Sequence, residues 1–477
     1  MQQSGTDFKK VLGNKEVLAL AFGAMIGWGW IVLTGGWVTS AGSMGAIIAM
    51  ALGSVAIIFI GLCYAELAST YPFEGGALIF SFKAMGHFPS FICTWALILG
   101  YFSVVAFEAV ALPTVFDNLI PHYQHVFLYN IGGFDLYLTW VLIGMIGAVI
   151  VTFLNYFGIE QASVFQTIVT VIIVVIGAIF FVGALIMGHS SNLEPLFNHA
   201  DNHHFFSPAI AGIFSVLIMV PFLFVGFDVI PQSASEINLP PVKIGKVLII
   251  SVVAAMLFYC GVTFAVGFVL KPSLINANLL TTPQAMQAVF GGHKIGFQLM
   301  ILAGIAGIVT SWNAFFIGGS RAIYALAKAK MLPSFLAYIH PKHKTPTRAI
   351  LLMGLATVIA PLLGRPALVW FVDAGSLAIV IAYLLVCISF VILRFKYPNV
   401  ERPFRLKKGL VIGILGIIGS AILIVMYLPF SPAALIKQEW VIFAVWVLFG
   451  LFLYAVARVK FGTKESKVVI DKLIGDK

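Results

Sequence analysis

Twelve long apolar runs constrain this 477-residue chain more than any other feature. They lie at about Val17–Val38, Gly45–Ala68, Phe88–Phe116, Tyr137–Tyr156, Gln161–Met187, Phe206–Ile230, Gly245–Leu270, Gly296–Ala327, Ala349–Gly364, Ala367–Leu393, Gly409–Tyr427 and Trp440–Val456. Roughly 20 apolar residues cross a bilayer as a helix. Backbone in lipid must satisfy its own hydrogen bonds, which leaves helices or a closed barrel. Barrel strands alternate in character over about ten residues, and these runs do not. Charged residues make up 10% of the chain, against roughly 25% in a globular domain. A soluble fold is thereby excluded, and the expected class is an all-α membrane protein of about twelve transmembrane helices.

An even number of spans puts both termini on one side. With that side cytoplasmic, 24 of the 28 Lys and Arg lie inside, and only Lys271, Lys294, Arg365 and Lys437 lie outside. This is the positive-inside pattern of a multi-pass cell-membrane protein. The formal net charge of +10 then faces the anionic headgroups of the lipid bilayer, and no nucleic acid is needed to explain it. Lys9 and Lys10 precede a first run without a small-residue cleavage site, so that run reads as a retained span. The cysteines (Cys63, Cys93, Cys260 and Cys387) all fall in predicted spans.

Glycine and proline placement separates a carrier from a scaffold. The first run reads Phe22-Gly23-Ala24-Met25-Ile26-Gly27-Trp28-Gly29-Trp30. Each interior glycine weakens a helix by about 1 kcal/mol relative to Ala. The sixth reads Pro221-Phe222-Leu223-Phe224-Val225-Gly226-Phe227-Asp228, where Pro221 removes a ladder hydrogen bond. Dividing the chain into spans 1–5 and 6–10 puts both interruptions in the first helix of each half. Inverted-repeat transporters break helices in this arrangement to expose backbone groups at mid-membrane. Close packing is the plainer use of such glycines, but matched breaks favour the transporter.

At these residues the chain resembles the amino acid–polyamine–organocation permeases, in motif most like the cationic-amino-acid type. Ile26-Gly27-Trp28-Gly29 is similar to the family's first-helix loop. Tyr64-Ala65-Glu66-Leu67 with Tyr71-Pro72 and Gly75-Gly76, then Gly226-Phe227-Asp228 with Glu236 and Pro240, follow the family's order. So do Ser320-Arg321-Ala322 with His340-Pro341, and Arg394 with Arg402-Pro403-Phe404. The resemblance implies a five-plus-five inverted repeat with two added helices. Its parts would be a terminus at 1–16, repeats at 17–190 and 205–395, helices eleven and twelve at 396–460 and a tail at 461–477. It implies gradient-driven alternating access and a small amine-containing substrate, an amino acid first. A polyamine or organic amine carrier and an amino acid exchanger are alternatives; a non-transporting sensor would usually carry an added domain. By family pattern, amides around Ile26, Gly27, Trp28 and Gly29 hold a carboxylate. Carbonyls around Phe224, Val225, Gly226 and Phe227 hold an ammonium. Helix-end partial charges support that pairing independently. No phosphate loop, metal cluster or paired nucleophile points to an enzyme or a bound cofactor.

Two departures from the family stand out. Trp28 and Trp30 replace small residues, so the indoles either shrink the pocket or stack on a cation. Ile173 stands where many proton-coupled relatives carry a lysine. Ionisable groups inside lipid are costly and mark function. Glu108 is therefore expected as a cation contact or proton site, and Asp228 as a substrate residue or a cap on the following half-helix. Tyr101 is expected to close over substrate or to pack. Glu66 and Glu236 are expected near the cytoplasmic ends, paired with Arg321 and Lys243 as gates. Thr310 and Ser311, one turn after Gly307, together with the Met25 carbonyl, form a candidate Na⁺ site. The coupling ion is expected to be Na⁺ or H⁺. The histidines His189, His199, His203 and His204 read as a solvated loop.

Single-cysteine labelling of intact cells checks the orientation. Positions 342–344 should be protected from an impermeant reagent and positions 198–204 should react; the reverse pattern overturns the assignment.

Overall fold

The computed structural model describes residues 10–120, 122–198, 207–276, 280–431 and 433–474; His199, His203 and His204 lie outside them. Among the described residues eleven helices are long and apolar enough to cross a membrane. They are Asn14–Val32, Ser43–Thr70, His87–Asp117, Leu138–Phe157, Ser163–Met187, Pro208–Gln232, Pro241–Val269, Lys294–Lys328, Ala367–Lys396, Gly409–Met426 and Lys437–Gly462. A shorter apolar helix, Thr347–Leu363, stands where the ninth span was expected. Counted with it, the spans number twelve, and ordinal numbers below follow that order. The chain is an all-α, multi-pass membrane protein.

The second span lies against the seventh, the fourth against the ninth, the third against the tenth and the fifth against the eighth. Exchanging spans 1–5 for 6–10 maps the first two contacts onto themselves and the last two onto each other. That is the contact pattern of a repeated five-helix unit. The third and eighth spans form the centre, with 89% and 83% of their apolar windows buried, whereas the twelfth has 11%. The fourth, fifth, eleventh and twelfth spans turn large side chains such as Ile146, Ile150, Ile186, Leu448 and Phe452 outward. In a bilayer this is the lipid-facing surface.

Both predicted breaks are present. The first span is helical over Asn14–Met25 and resumes at Gly29–Val32. The sixth is helical over Val220–Phe224 and again over Val229–Gln232. Gly226 has φ +137°, backbone that side-chain-bearing residues rarely adopt. A Cβ there would stand 2.7 Å from the Ala24 Cβ and 3.0 Å from the Met25 nitrogen. The two breaks therefore touch each other.

Past the twelfth span, Glu465 approaches Lys330 at 3.8 Å, so both termini sit on one face, called the terminal face below. There the N-terminal segment is stitched to the chain after the sixth span. The amides of Val11 and Leu12 donate to the Glu236 carbonyl, and the Asn238 amide donates to the Leu12 carbonyl. Glu236 is gripped by Arg321 in a two-pronged ion pair, with nitrogen–oxygen distances of 2.8 and 3.1 Å. Both side chains are about 1% exposed. Glu66, fully buried, is held by Arg394 and Arg402 and by the Leu406 amide. Of the two cations expected at these acids, Arg321 is a partner, of Glu236. In place of Lys243, Glu66 takes its arginines from the tenth span and the loop beyond it. At the opposite face a hairpin, Phe127–Ile131 with Phe134–Tyr137, turns at Gly132-Gly133, both at positive φ.

The twelfth span is fastened to the third by Trp95 and Trp446. Their rings stack at 4.4 Å between centroids, and each indole N–H donates to the other's main-chain oxygen at 3.0 Å.

Removing one partner of a buried pair leaves an uncompensated charge, at a cost of about 3–5 kcal/mol, whereas an apolar replacement of both is often neutral. Glu236→Gln and Arg321→Met should each lower the melting temperature of the purified protein. The Glu236→Leu/Arg321→Met pair should recover most of that loss, and equal melting of single and double variants would contradict it.

Candidate functional site

Breaking a helix inside a buried bundle strands backbone donors, and each orphaned donor costs about 1–3 kcal/mol. At the first break the Ile26 amide still closes the preceding helical turn on the Phe22 carbonyl at 3.1 Å. It is not available to a ligand, which corrects the expectation for Ile26. The Trp28 amide donates to Glu108 Oε1 at 3.3 Å. Ser311 Oγ–H donates to the same carboxyl oxygen. Glu108, on the third span and about 1% exposed, thus sits at the break itself. Its other oxygen, Oε2, is buried and has no hydrogen-bond partner among the described residues.

At the sixth-span break Asp228 Oδ1 accepts the Gly226 amide at 2.8 Å. Tyr101 donates to Oδ2 at 2.7 Å and Tyr383 to Oδ1 at 3.3 Å. Asp228 makes no side-chain cap bond to the helix that follows it, so the capping expectation fails. A capping residue usually has extended backbone, whereas Asp228 is helical at φ −75°, ψ −10°. Its side chain instead turns back to the Gly226 amide. Tyr101 serves as a post for Asp228. The Gly226 and Phe227 carbonyls accept the Val229 and Ile230 amides, which closes the turn.

Between the breaks lies a small cavity of about 20 Å³, walled by Met25, Gly27, Gly29, Glu108 and Ser311 and by the apolar groups of Val104, Phe107, Phe222, Leu223 and Phe315. Neither indole lines it. The Trp28 ring fills the space over Gly304 on the eighth span, and Trp30 meets Phe258 edge-on at 5.1 Å. The indoles are packing residues, which corrects both readings offered for them.

The candidate Na⁺ ligands are engaged elsewhere. Tyr259 donates to the Met25 carbonyl at 2.6 Å. The Thr310 hydroxyl donates to the Gly307 carbonyl at 3.0 Å, and Ser311 Oγ, whose proton goes to Glu108, lies 2.9 Å from the same carbonyl oxygen. Gln166 Nε2 donates to the Thr310 carbonyl at 3.0 Å. A hard cation needs several oxygens with lone pairs turned inward; the Met25, Gly307 and Thr310 carbonyls already accept protons here, while the Thr310 and Ser311 hydroxyls act as donors and keep their own lone pairs. Among the described residues no three His, Cys, Asp or Glu gather as a metal site, and His189 is exposed.

The family model described as "Amino acid permease" matches residues 12–452. The chain belongs to the amino acid permease family. The permease is 26% identical to the branched-chain amino acid permease BcaP of Bacillus subtilis (strain 168), over 96% of this chain and 94% of that one. It is 24% identical to the methylthioribose transporter of the same organism, over 95% and 94%. It is 25% identical to cationic amino acid transporter 4 of Homo sapiens, over 82% of this chain and 61% of the human one. The permease is a transporter and not an enzyme.

Sequence reading missed Tyr259, Tyr383, Gln166 and Asn313. Each is a polar side chain inside an apolar span, which was the available signal.

A Cβ at Gly27 would collide with Glu108 Oε1 and stand 2.9 Å from Ser311 Oγ, whereas one at Gly29 meets the ends of Leu223 at 3.1 Å and Leu33 at 3.7 Å. Gly27→Val should abolish saturable uptake at normal membrane abundance, and Gly29→Ala should retain part of it. Normal uptake by Gly27→Val removes the first break from the site.

Proposed function

We propose that the permease carries a small aliphatic amino acid through the cell membrane by alternating access, with both termini cytoplasmic. The observation that carries this reading is the contact of the two helix breaks across one small cavity. At about 20 Å³ the cavity has room for little more than one water, so the site is closed in this state and the breaks must part to admit a substrate. The remaining amides of the first break, Gly27 and Gly29, suit the substrate carboxylate. Because Gly226 and Phe227 carbonyls are used in the turn, Phe224 and Val225 carbonyls suit the ammonium. The walls beyond are apolar, and the branched-chain permease among the relatives fits such a pocket. The buried ion pairs of Glu236 and Glu66 close the cytoplasmic path in this state.

The proposed coupling ion is the proton. A substrate carboxylate arriving at the first break meets Glu108 already on the Trp28 amide. Two ionised carboxylates at one buried site repel each other, and a proton on one relieves the repulsion. Glu108 is then uncharged while substrate is bound. The unpartnered Oε2 supports a second reading, a dibasic amino acid whose side-chain ammonium meets Glu108.

Uptake into proteoliposomes separates these readings. Leucine, isoleucine and valine should compete for transport, and leucine methyl ester should compete about tenfold or more weakly. Competition by lysine and arginine alone favours the dibasic reading, and equal competition by acid and ester sinks the carboxylate anchor. Uptake should fall as pH rises, and Glu108→Gln should flatten that profile.

A further inference from the structure

Three neutral amides run in a buried chain from the fourth span to the first. Asn155 Nδ2 donates to the Val151 carbonyl at 3.0 Å and to Asn313 Oδ1 at 3.1 Å. Asn313 Nδ2 donates to Gln166 Oε1 at 3.1 Å. Gln166 Nε2 donates to the Thr310 carbonyl on the eighth span at 3.0 Å and makes a longer contact of 3.5 Å with the Ala19 carbonyl on the first. Thr170 Oγ1 lies 3.4 Å from the same Ala19 oxygen. Asn155, Gln166 and Asn313 are all at most 3% exposed.

The direction of this chain is not arbitrary. Amide oxygen and nitrogen are interchangeable by shape, so the assignment rests on the partners. A carbonyl can only accept. The Thr310 carbonyl therefore requires nitrogen from Gln166, which turns the Gln166 oxygen toward Asn313. That requires nitrogen from Asn313, whose oxygen then faces Asn155. The Val151 carbonyl takes the Asn155 nitrogen at the far end, so all links agree. Three amides in series fix one N–H at the junction of the first and eighth spans.

That junction is also full. A Cβ on Gly23 would lie 2.7 Å from Thr170 Oγ1, 2.8 Å from Gln166 Nε2 and 3.2 Å from the Thr310 Cβ. The amide nitrogen occupies the crevice at Gly23, two residues before Met25, beside the Thr170 hydroxyl and the Thr310 side chain.

We propose that Gln166 is a positioning residue for transport, a built-in uncharged bridge that does at this junction what a bound cation would do. It draws carbonyls of the first and eighth spans together through its N–H and so holds the first-span break in its substrate-receiving geometry. Asn313 acts through Gln166 by fixing which end of the amide faces the carbonyls. Substrate binding accordingly needs no Na⁺ at this junction. The proposal rests on the reading that the first break holds the substrate.

The test uses the full-length permease in proteoliposomes with leucine, or with lysine if competition favours it. Gln166→Leu should raise KM roughly tenfold, the size of one lost buried hydrogen bond, with a smaller change in kcat. Gln166→Asn, one methylene too short to reach the junction, should do the same and serves if the leucine variant fails to fold. Asn313→Leu should raise KM, and the double variant should be no worse than Gln166→Leu alone, because both changes cut one chain. Replacing Na⁺ by K⁺ should leave the KM and the melting temperature of the unmodified protein unchanged. A normal KM in Gln166→Asn, additive effects of the two positions, or a Na⁺-dependent rise in melting temperature each overturn the proposal. If Gly27→Val transports normally, the site reading fails instead, whatever Gln166 does.

Discussion

A main-chain N–H freed in the middle of an apolar bundle needs an acceptor, and most of the core is arranged around that demand. Each helix break receives one acid. Glu108 reaches from the third span to the Trp28 amide, and Asp228 turns back within its own break to the Gly226 amide. The acids in turn need donors, which Ser311, Tyr101 and Tyr383 supply. These come from the eighth, third and tenth spans, so the breaks are tied to the central helices. Under the proposed carboxylate anchor, the acid that satisfies the backbone also stands where a substrate carboxylate would arrive. Structural support and competition for the ligand are the same contact.

The terminal face solves a different problem with charge. Glu236 and Glu66 are buried where the chain turns back, and each is met by arginine with near-complete pairing. Buried pairs of this kind add little to stability over an apolar contact. They are, however, intolerant of partial opening, since separating the ions strands a charge. Such a closure favours two discrete states over a continuum.

Spans were legible because lipid imposes one rule on every residue of a run, so a local pattern suffices. The breaks were legible because Gly27, Gly29, Pro221 and Gly226 leave a local mark. The partners were not. Glu66 meets Arg394 across 328 positions, and nothing near either residue names the other. Asp228 was misread because the sequence shows a carboxylate before a helix but not its backbone angles. Trp28 was misread because a large ring beside a break suggests a pocket wall, whereas Gly304 on a distant span gives it room. The amide chain escaped because a search for charge in the membrane passes over Asn155, Gln166 and Asn313. The hairpin had its signal in Gly132-Gly133, yet strands of five and four residues fall outside a search for runs of helix-spanning length.

The stacked indoles of Trp95 and Trp446 couple two very different surroundings. The third span, which carries Glu108, is almost entirely enclosed, and the twelfth is mostly bathed in lipid. With two hydrogen bonds and a ring stack between them, the third span cannot slide or rotate without dragging the twelfth through the acyl chains. Bilayer viscosity thereby enters the barrier for any rearrangement of the third span. The turnover of such a carrier becomes a property of its membrane, rising in fluid lipid and slowing in ordered lipid at constant affinity.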